Sequence, residues 1–175
     1  ESLVHAATKN PNYGMFASRM IAHNAPDLLD GEGDGYHISG LVWRVGHGQC
    51  LKLRPDGNSD VFSPCAAAAL YRMDLLKLVG GFDEDFFCYV EDVDLGFRLQ
   101  LAGQRCLLVT EAVVRHIGSA TTGGQRSDFS VYHGHRNLVW AFVKNVPGFL
   151  FWVLLPFHLM LNLVSIAWFT FRGQG

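Results

Sequence analysis

The sequence predicts an α/β domain followed by a separate apolar helix, on three observations. Strand-like apolar runs at 13–22, 61–72 and 105–116 alternate with segments of helical period at 2–8, 72–79, 91–102 and 128–145. Turn formers punctuate the boundaries: Asn10-Pro11, Gly80-Gly81 and Gly103. Residues 149–171 then run for 23 positions without a charged side chain.

The chain has 175 residues, enough for one domain with a real core. Hydrophobic residues make up 49% and charged residues 17%, below the roughly 25% of an average soluble domain, and the deficit comes mostly from the C-terminus. The net charge of −2 provides no basic field, so nucleic acid is not an expected partner. The four cysteines (Cys50, Cys65, Cys88, Cys106) contain no C-x-x-C pair and read as reduced residues of a cytosolic domain. There is no signal peptide pattern, and the chain opens on Glu1 as a piece of a longer protein would.

A first helix, 2–8, stops at Asn10-Pro11. Residues 13–22 suit a buried strand. The stretch 24–35 alternates glycine with acid but misses the calcium-loop register, and reads as a plain loop. Residues 36–48 suggest a hairpin strand, followed by a polar loop through 55–58. A strand opens at Val61 and runs through Cys65-Ala-Ala-Ala-Ala to Arg72. Its small residues suit either a ligand close to the backbone or close helix packing. A short helix, 72–79, ends at Gly80-Gly81.

The next stretch, 80–95, organises the chain. Six carboxylates lie between Asp83 and Asp94, interleaved with Phe82, Phe86, Phe87 and Tyr89. Carboxylates among aromatics are partly desolvated, which suits acid–base or metal chemistry and equally a structural ion-pair network. The helix from Glu91 or Asp92 to about Ala102 places Leu95, Leu99 and Ala102 on one face, with Asp94 and Arg98 as a surface pair. Strand-like runs at 105–109 and 112–116 are split by Thr110-Glu111, and a loop follows over 118–125. In the helix 128–145, Phe129, Tyr132, Arg136, Trp140 and Val143 share a face, so Arg136 sits inside an apolar stripe. A buried arginine needs a partner, either a protein carboxylate or a ligand phosphate. The 149–171 run matches the ~20 residues that span a bilayer. Trp152 and Trp168 lie near its ends, while Pro156, His158 and Asn162 count against a straight lipid-facing span. A kinked span, a re-entrant segment and an in-plane helix all fit.

Four blocks resemble the inverting family 2 glycosyltransferases of the GT-A fold, rhamnosyltransferases among them. They are Cys65-Ala-Ala-Ala-Ala-Leu-Tyr-Arg72; the long block from Val79 through Gly-Gly-Phe-Asp-Glu-Asp-Phe-Phe-Cys-Tyr-Val-Glu-Asp-Val-Asp-Leu to Arg98; Ala112-Val-Val-Arg-His116 with Gly118-Ser119; and Tyr132-His-Gly-His-Arg136-Asn137. The resemblance implies a Rossmann-like α/β fold. Residues 1–146 would be the C-terminal, acceptor-side part of the transferase domain, and 147–172 a membrane-associated segment. It implies that Asp92, paired with Glu91, is the general base on the acceptor hydroxyl. It further implies that His116 helps hold Mg²⁺ or Mn²⁺, and that Ala66, Ala67, Tyr132 and Arg136 line the donor diphosphate. The expected partners are a nucleotide-sugar donor, a glycan or lipid-linked acceptor of the cell envelope, and the cytoplasmic face of the inner membrane.

Two departures qualify the resemblance. The nucleotide-binding unit with its D-x-D motif is absent and would lie upstream, so this piece alone is expected to be inactive. The Q-x-x-R-W motif of processive synthases is also absent, which favours addition of one or a few sugars. A second reading is a non-catalytic, membrane-anchored glycan- or partner-binding domain. A third, weaker reading is a metallohydrolase using Asp92, His116, His133 and His135.

Overall fold

The computed structural model describes residues 1–118 and 127–173 and shows a mixed α/β chain with one long apolar C-terminal helix. In order, the elements are α1 (Ser2–Lys9), β1 (Met15–Ala22), β2 (Ala25–Gly31), β3 (Asp34–Tyr36), β4 (Val42–Arg44), β5 (Ser59–Val61), β6 (Ala69–Tyr71), α2 (Met73–Val79), α3 (Glu91–Leu101), β7 (Cys106–His116), α4 (Asp128–Asn145) and α5 (Gly148–Phe171). Short 3-10 turns occupy Leu51–Leu53, Ala66–Ala68 and Glu84–Phe86.

β1 is the central strand. It runs parallel to β7 and antiparallel to β2 and β6, which share its other edge, while β5 extends the sheet antiparallel beyond β7. Side chains alternate across a strand, so the two faces carry different clusters. Met15, Ala17, Cys106 and Leu108 pack against Leu95 and Leu99 of α3 and Leu75, Leu76 and Val79 of α2. Phe16, Leu107, Val109 and Ala112 pack against Ala6 of α1. A strand covered on both faces reads as a continuous apolar run, which is why 13–22 was legible.

Several elements differ from expectation. The stretch read as a loop over 24–35 forms β2 and the start of β3. Its alternating acids and glycines are a strand pattern: Asp30, Glu32 and Asp34 are all buried, each against arginine. The glycines leave room for side chains crossing the strand. A Cβ on Gly31 would lie 2.2 Å from Cγ and Cδ of Arg44, and one on Gly35 would lie 2.3 Å from the Trp43 ring. The strand expected over 61–72 is broken, since β5 ends at Val61 and residues 66–68 form a 3-10 turn before β6. Pro64 has no N–H for a ladder, and the chain there presses on α3: a Cβ on Gly96 would lie 2.3 Å from that of Ser63. The two runs around Thr110-Glu111 are a single strand, β7, with an irregularity. Ser18 pairs with Val109 and Arg19 with Val113, leaving 110–112 between partners.

Asp94 is not a surface partner of Arg98. It is fully buried and binds Arg98, Lys144 at 3.0 Å and Asn145 at 2.8 Å. The reason is α4, which lies over α3 and turns its polar residues inward. The buried face of α4 is Ser130, Asn137, Ala141, Phe142 and Asn145, whereas Phe129, Tyr132, Trp140 and Val143 of the expected apolar stripe are exposed.

α5 runs back along α4. Phe151 and His158 meet Phe142, and Phe169 meets His135. The less exposed residues of α5 recur at helical period from Phe151 to Phe169, and His158 and Asn162 lie on that docked stripe. This removes the objection that their polarity raised against lipid contact, because neither side chain faces outward. α5 is long and apolar enough to cross a membrane, and only 6% of its most apolar window is buried.

Candidate functional site

A cavity of about 750 Å³ opens where the N-terminus of α3, the β3–β4 hairpin, the end of β7, α4 and the last turn of α5 converge. Its charged lining is Asp30, Asp34, Glu91 and Asp92 against Arg44. That balance is strongly acidic, so a bare diphosphate is repelled unless a cation accompanies it, while sugar hydroxyls find many acceptors.

The α3 end of the site is built by an unusual loop. Phe87, Tyr89 and Val90 all have φ between 62° and 67°, a left-handed conformation that bulky residues rarely adopt. Asn137 of α4 holds it. The fully buried Asn137 Nδ2 donates to the carbonyls of Phe86, Cys88 and Tyr89 at 2.9, 2.8 and 2.7 Å. The chain then enters α3 with Glu91 and Asp92 in the first turn, where the helix dipole favours negative charge.

Asp92 is fixed by two backbone donors. Ala66 N–H donates to Oδ2 at 3.0 Å and Val93 N–H to Oδ1 at 2.9 Å. Each oxygen keeps acceptor capacity for a further hydrogen bond. Glu91 and Asp34 are different. Glu91 Oε2 and Asp34 Oδ2 are buried and find no hydrogen-bond partner among the described residues. Burial, reinforced by the neighbouring Asp92, pushes both carboxyls up to about 7; Arg44 pulls Asp34 the other way without cancelling that rise.

Arg44 links the acids across the hairpin. It bonds Asp34 at 3.2 Å and reaches Asp30 at 3.5 Å. Asp30 Oδ2 also accepts from His116 Nδ1 at 2.9 Å, and the Asp30 carbonyl lies 2.8 Å from His47 Nδ1. A carboxylate on Nδ1 leaves Nε2 of His116 as the lone-pair nitrogen, the arrangement that orients a metal-binding imidazole. Among the described residues, however, no group of three or more His, Cys, Asp and Glu side chains is placed to hold a metal ion. A cation here would need ligands beyond these side chains.

Of the residues singled out from the sequence, Asp92, Glu91, Ala67 and His116 line the one cavity, and Ala66 contributes its N–H to Asp92. Arg136 and Tyr132 do not line it. Arg136 donates to the carbonyls of Asp85 and Phe86 at 3.2 and 3.0 Å and lies 4.3 Å over the Trp140 ring, while Tyr132 is 62% exposed. The partner of Arg136 is therefore the loop before α3. The histidines of the third reading also separate: His135 faces the cavity, and His133 packs on Phe129 and Phe87. The loop after His116 lies outside the described residues from 119 onward.

Sequence reasoning missed Asp30, Asp34 and Arg44, and quoted Asn137 in a block without giving it a role. The period-2 acids of 30–34 were a signal for the first two. The spacing of Ser130, Asn137, Ala141 and Asn145 was the signal for the polar inner face of α4.

No family model matches the chain. Over 76 residues it is 40% identical to the N-acetylglucosaminyl-diphospho-decaprenol L-rhamnosyltransferase of Mycobacterium tuberculosis (strain CDC 1551 / Oshkosh), and equally to that of strain ATCC 25618 / H37Rv. Each match takes in 43% of this chain and 24% of the relative, so the chain spans about a quarter of the length of the curated relatives it matches. This partial likeness supports a relationship to glycosyltransferases.

Proposed function

We propose that this chain is the acceptor-side part of an inverting glycosyltransferase of GT-A type, belonging to family 2, and that the acidic cavity at the start of α3 is where transfer occurs. The observation that carries the reading is the placement of Asp92: a carboxylate held by two backbone N–H groups at a helix N-terminus, open to a cavity beside two further buried carboxyls.

In this reading the acceptor hydroxyl gives its proton to Asp92 as its oxygen bonds to the anomeric carbon. The bond from that carbon to the donor phosphate breaks, and its electron pair leaves with the diphosphate. A single displacement inverts the centre and needs one base and no covalent intermediate. Glu91 and Asp34, which give up their protons only near pH 7, exchange hydrogen bonds with sugar hydroxyls while carrying less than full charge. His116 would offer Nε2 to a Mg²⁺ or Mn²⁺ ion, whose charge neutralises a diphosphate, with the remaining ligands drawn from the diphosphate and from outside this residue set. Ala67 lines the cavity, and Ala66 holds Asp92 in place through its N–H. Arg136 enters this account through the loop it supports, and Tyr132 only through its contact with Arg136.

The relative named above acts on a decaprenol diphosphate carrying N-acetylglucosamine and transfers L-rhamnose. By analogy we assign this chain a nucleotide-sugar donor and a glycan or lipid-linked acceptor of the cell envelope, with work at the cytoplasmic face of the inner membrane. α5 fits that assignment. Its docked stripe follows the domain from Phe151 to Phe169, about 27 Å at 1.5 Å per residue. A helix held to the domain along that length lies in the membrane plane and brings the cavity mouth to the lipid surface. The experiment is to incubate the full-length protein, in vesicles, with nucleotide-sugar donors and a prenyl-diphosphate N-acetylglucosamine acceptor. Divalent-cation-dependent formation of an inverted glycosidic product supports the assignment. Binding of the acceptor glycan with no turnover of any donor favours a binding module instead.

A further inference from the structure

α5 is the most apolar element of the chain, yet His158 in its middle is buried, with 3% exposure. Its Nδ1 lies 2.8 Å from the carbonyl of Ser39, and its ring lies flat on Phe142, with centroids 4.0 Å apart and planes 3° apart. A carbonyl only accepts, so Nδ1 carries the hydrogen. Nε2 then offers a lone pair, and Asn162 Nδ2 donates to it at 3.1 Å. Both ring nitrogens are thus satisfied inside a helix whose other faces are apolar. A polar group in such a helix is costly without partners.

Ser39 belongs to the turn that joins β3 to β4, closed by His37 N–H to the Leu41 carbonyl at 2.9 Å and Gly40 N–H to the His37 carbonyl at 2.8 Å. Gly40 has φ of +85°, and a Cβ there would lie 2.7 Å from His158 Nδ1. The glycine lets the imidazole press against the turn. From the turn, β4 runs along the cavity, lining it with Val42, Trp43 and Arg44, and Arg44 meets Asp34 at the open end of the hairpin. Tyr36, beside the turn on β3, stacks on Phe62 and meets Phe97 of α3 edge-on, so β3 is held from α3 while the turn itself is held from α5. Among the described residues, His158 is where the side chains of α5 hydrogen-bond this hairpin.

We propose that His158 is a positioning residue: it locks α5, seated on the membrane, to the turn of the β3–β4 hairpin and thereby sets the Asp34–Arg44 pair at the cavity. The inference rests on the reading of α5 as a membrane-seated helix and of the cavity as the site of transfer. It goes further in making membrane seating and active-site geometry one mechanical unit.

The test uses the full-length protein on phosphatidylglycerol vesicles and two substitutions that split the functions of the ring. His158→Phe keeps the volume and the stack on Phe142 but removes the donor to Ser39. His158→Asn keeps a donor near the Nδ1 position and loses the stack. Amide hydrogen exchange over residues 36–42 reads the hairpin directly, and kcat and KM read its consequence. The loss of one buried hydrogen bond predicts about tenfold faster exchange there in His158→Phe, and about tenfold lower kcat with donor KM within about twofold. His158→Asn should restore both to within about threefold of wild type. Gly40→Ala, which attacks the same contact from the hairpin side, should match His158→Phe. Wild-type exchange over 36–42 in both His158→Phe and Gly40→Ala overturns the proposal, as does an equal loss in His158→Asn and His158→Phe. If the wild-type protein transfers no sugar at all, the proposed function falls, while the exchange comparison still decides whether His158 holds the hairpin.

Discussion

Replacing Asn137 with alanine should loosen the start of α3 more than any other single change on α4. Asn137 Nδ2 donates to three carbonyls of the loop 86–89, and its Oδ1 accepts from Arg136 Nε at 2.9 Å. An amide group has two hydrogens, so these bonds are shared, and each net bond contributes about 1 kcal/mol. The larger effect is the Cys88 and Tyr89 carbonyls losing this donor, at about 1–3 kcal/mol each, while the Phe86 carbonyl keeps Arg136 and the Cys88 N–H. The bonds also hold Phe87, Tyr89 and Val90 in left-handed conformations, each costing about 1–3 kcal/mol. Their release gives back part of the loss by letting the loop relax away from the native geometry. We expect local opening of 86–92 to become about 3 kcal/mol easier, or about two orders of magnitude faster hydrogen exchange, with β1 and β7 unchanged. Native-state exchange on the full-length protein measures this segment by segment. Exchange over 86–92 within about threefold of wild type would refute the argument that Asn137 sustains the loop.

Two further outcomes follow from the same geometry. Asp34 and Glu91 hold protons up to about pH 7 in the fold, whereas their ordinary values are 3.8 and 4.5. Between about pH 4 and 7 the folded state therefore binds more protons than the unfolded state, and stability falls as pH rises through that window. Asp34→Asn, which cannot ionise, should match wild type only below about pH 4 and exceed its thermal midpoint at pH 8; a lower midpoint at pH 8 would show that the ion pair with Arg44 outweighs burial. Asp94→Ala removes the partner shared by Arg98, Lys144 and Asn145 and leaves cations beside an empty buried site, so denaturant titration should show a loss of about 3–5 kcal/mol, and a loss under 1 kcal/mol would contradict the buried network.

The fold was legible where one physical signal dominated. The apolar run of β1, the period of α3 and its stop at Gly103, the bounds of α4, and the uncharged length of α5 all read true from the residues. The signal failed where glycine and acid alternate, at 24–35, because the same composition serves turns and serves strands whose glycines make room for Arg44 and Trp43. It failed on the face of α4 for a related reason. Counting apolar residues selects Phe129, Tyr132, Trp140 and Val143, but the helix packs on polar loops and buries Asn137 and Asn145 instead. The site was half visible. Glu91 and Asp92 are adjacent in sequence and mark a helix start. Asp30 reaches the same cavity from the end of β2, and Asp34 and Arg44 from the β3–β4 hairpin; no local spacing announces a contact between β3 and α3.

The central claim is that Asp92 takes the acceptor proton. The most direct measurement is kcat for Asp92→Asn in the full-length protein, with donor binding followed separately by calorimetry. Asparagine keeps the shape, and its carbonyl oxygen still accepts the Ala66 N–H, so the cavity should persist although the bond from the Val93 N–H is lost. The account predicts kcat lower by about 10²–10⁴-fold, the range typical of a lost general base, with donor affinity unchanged. Turnover within about threefold of wild type, in a variant that still binds donor, would contradict it.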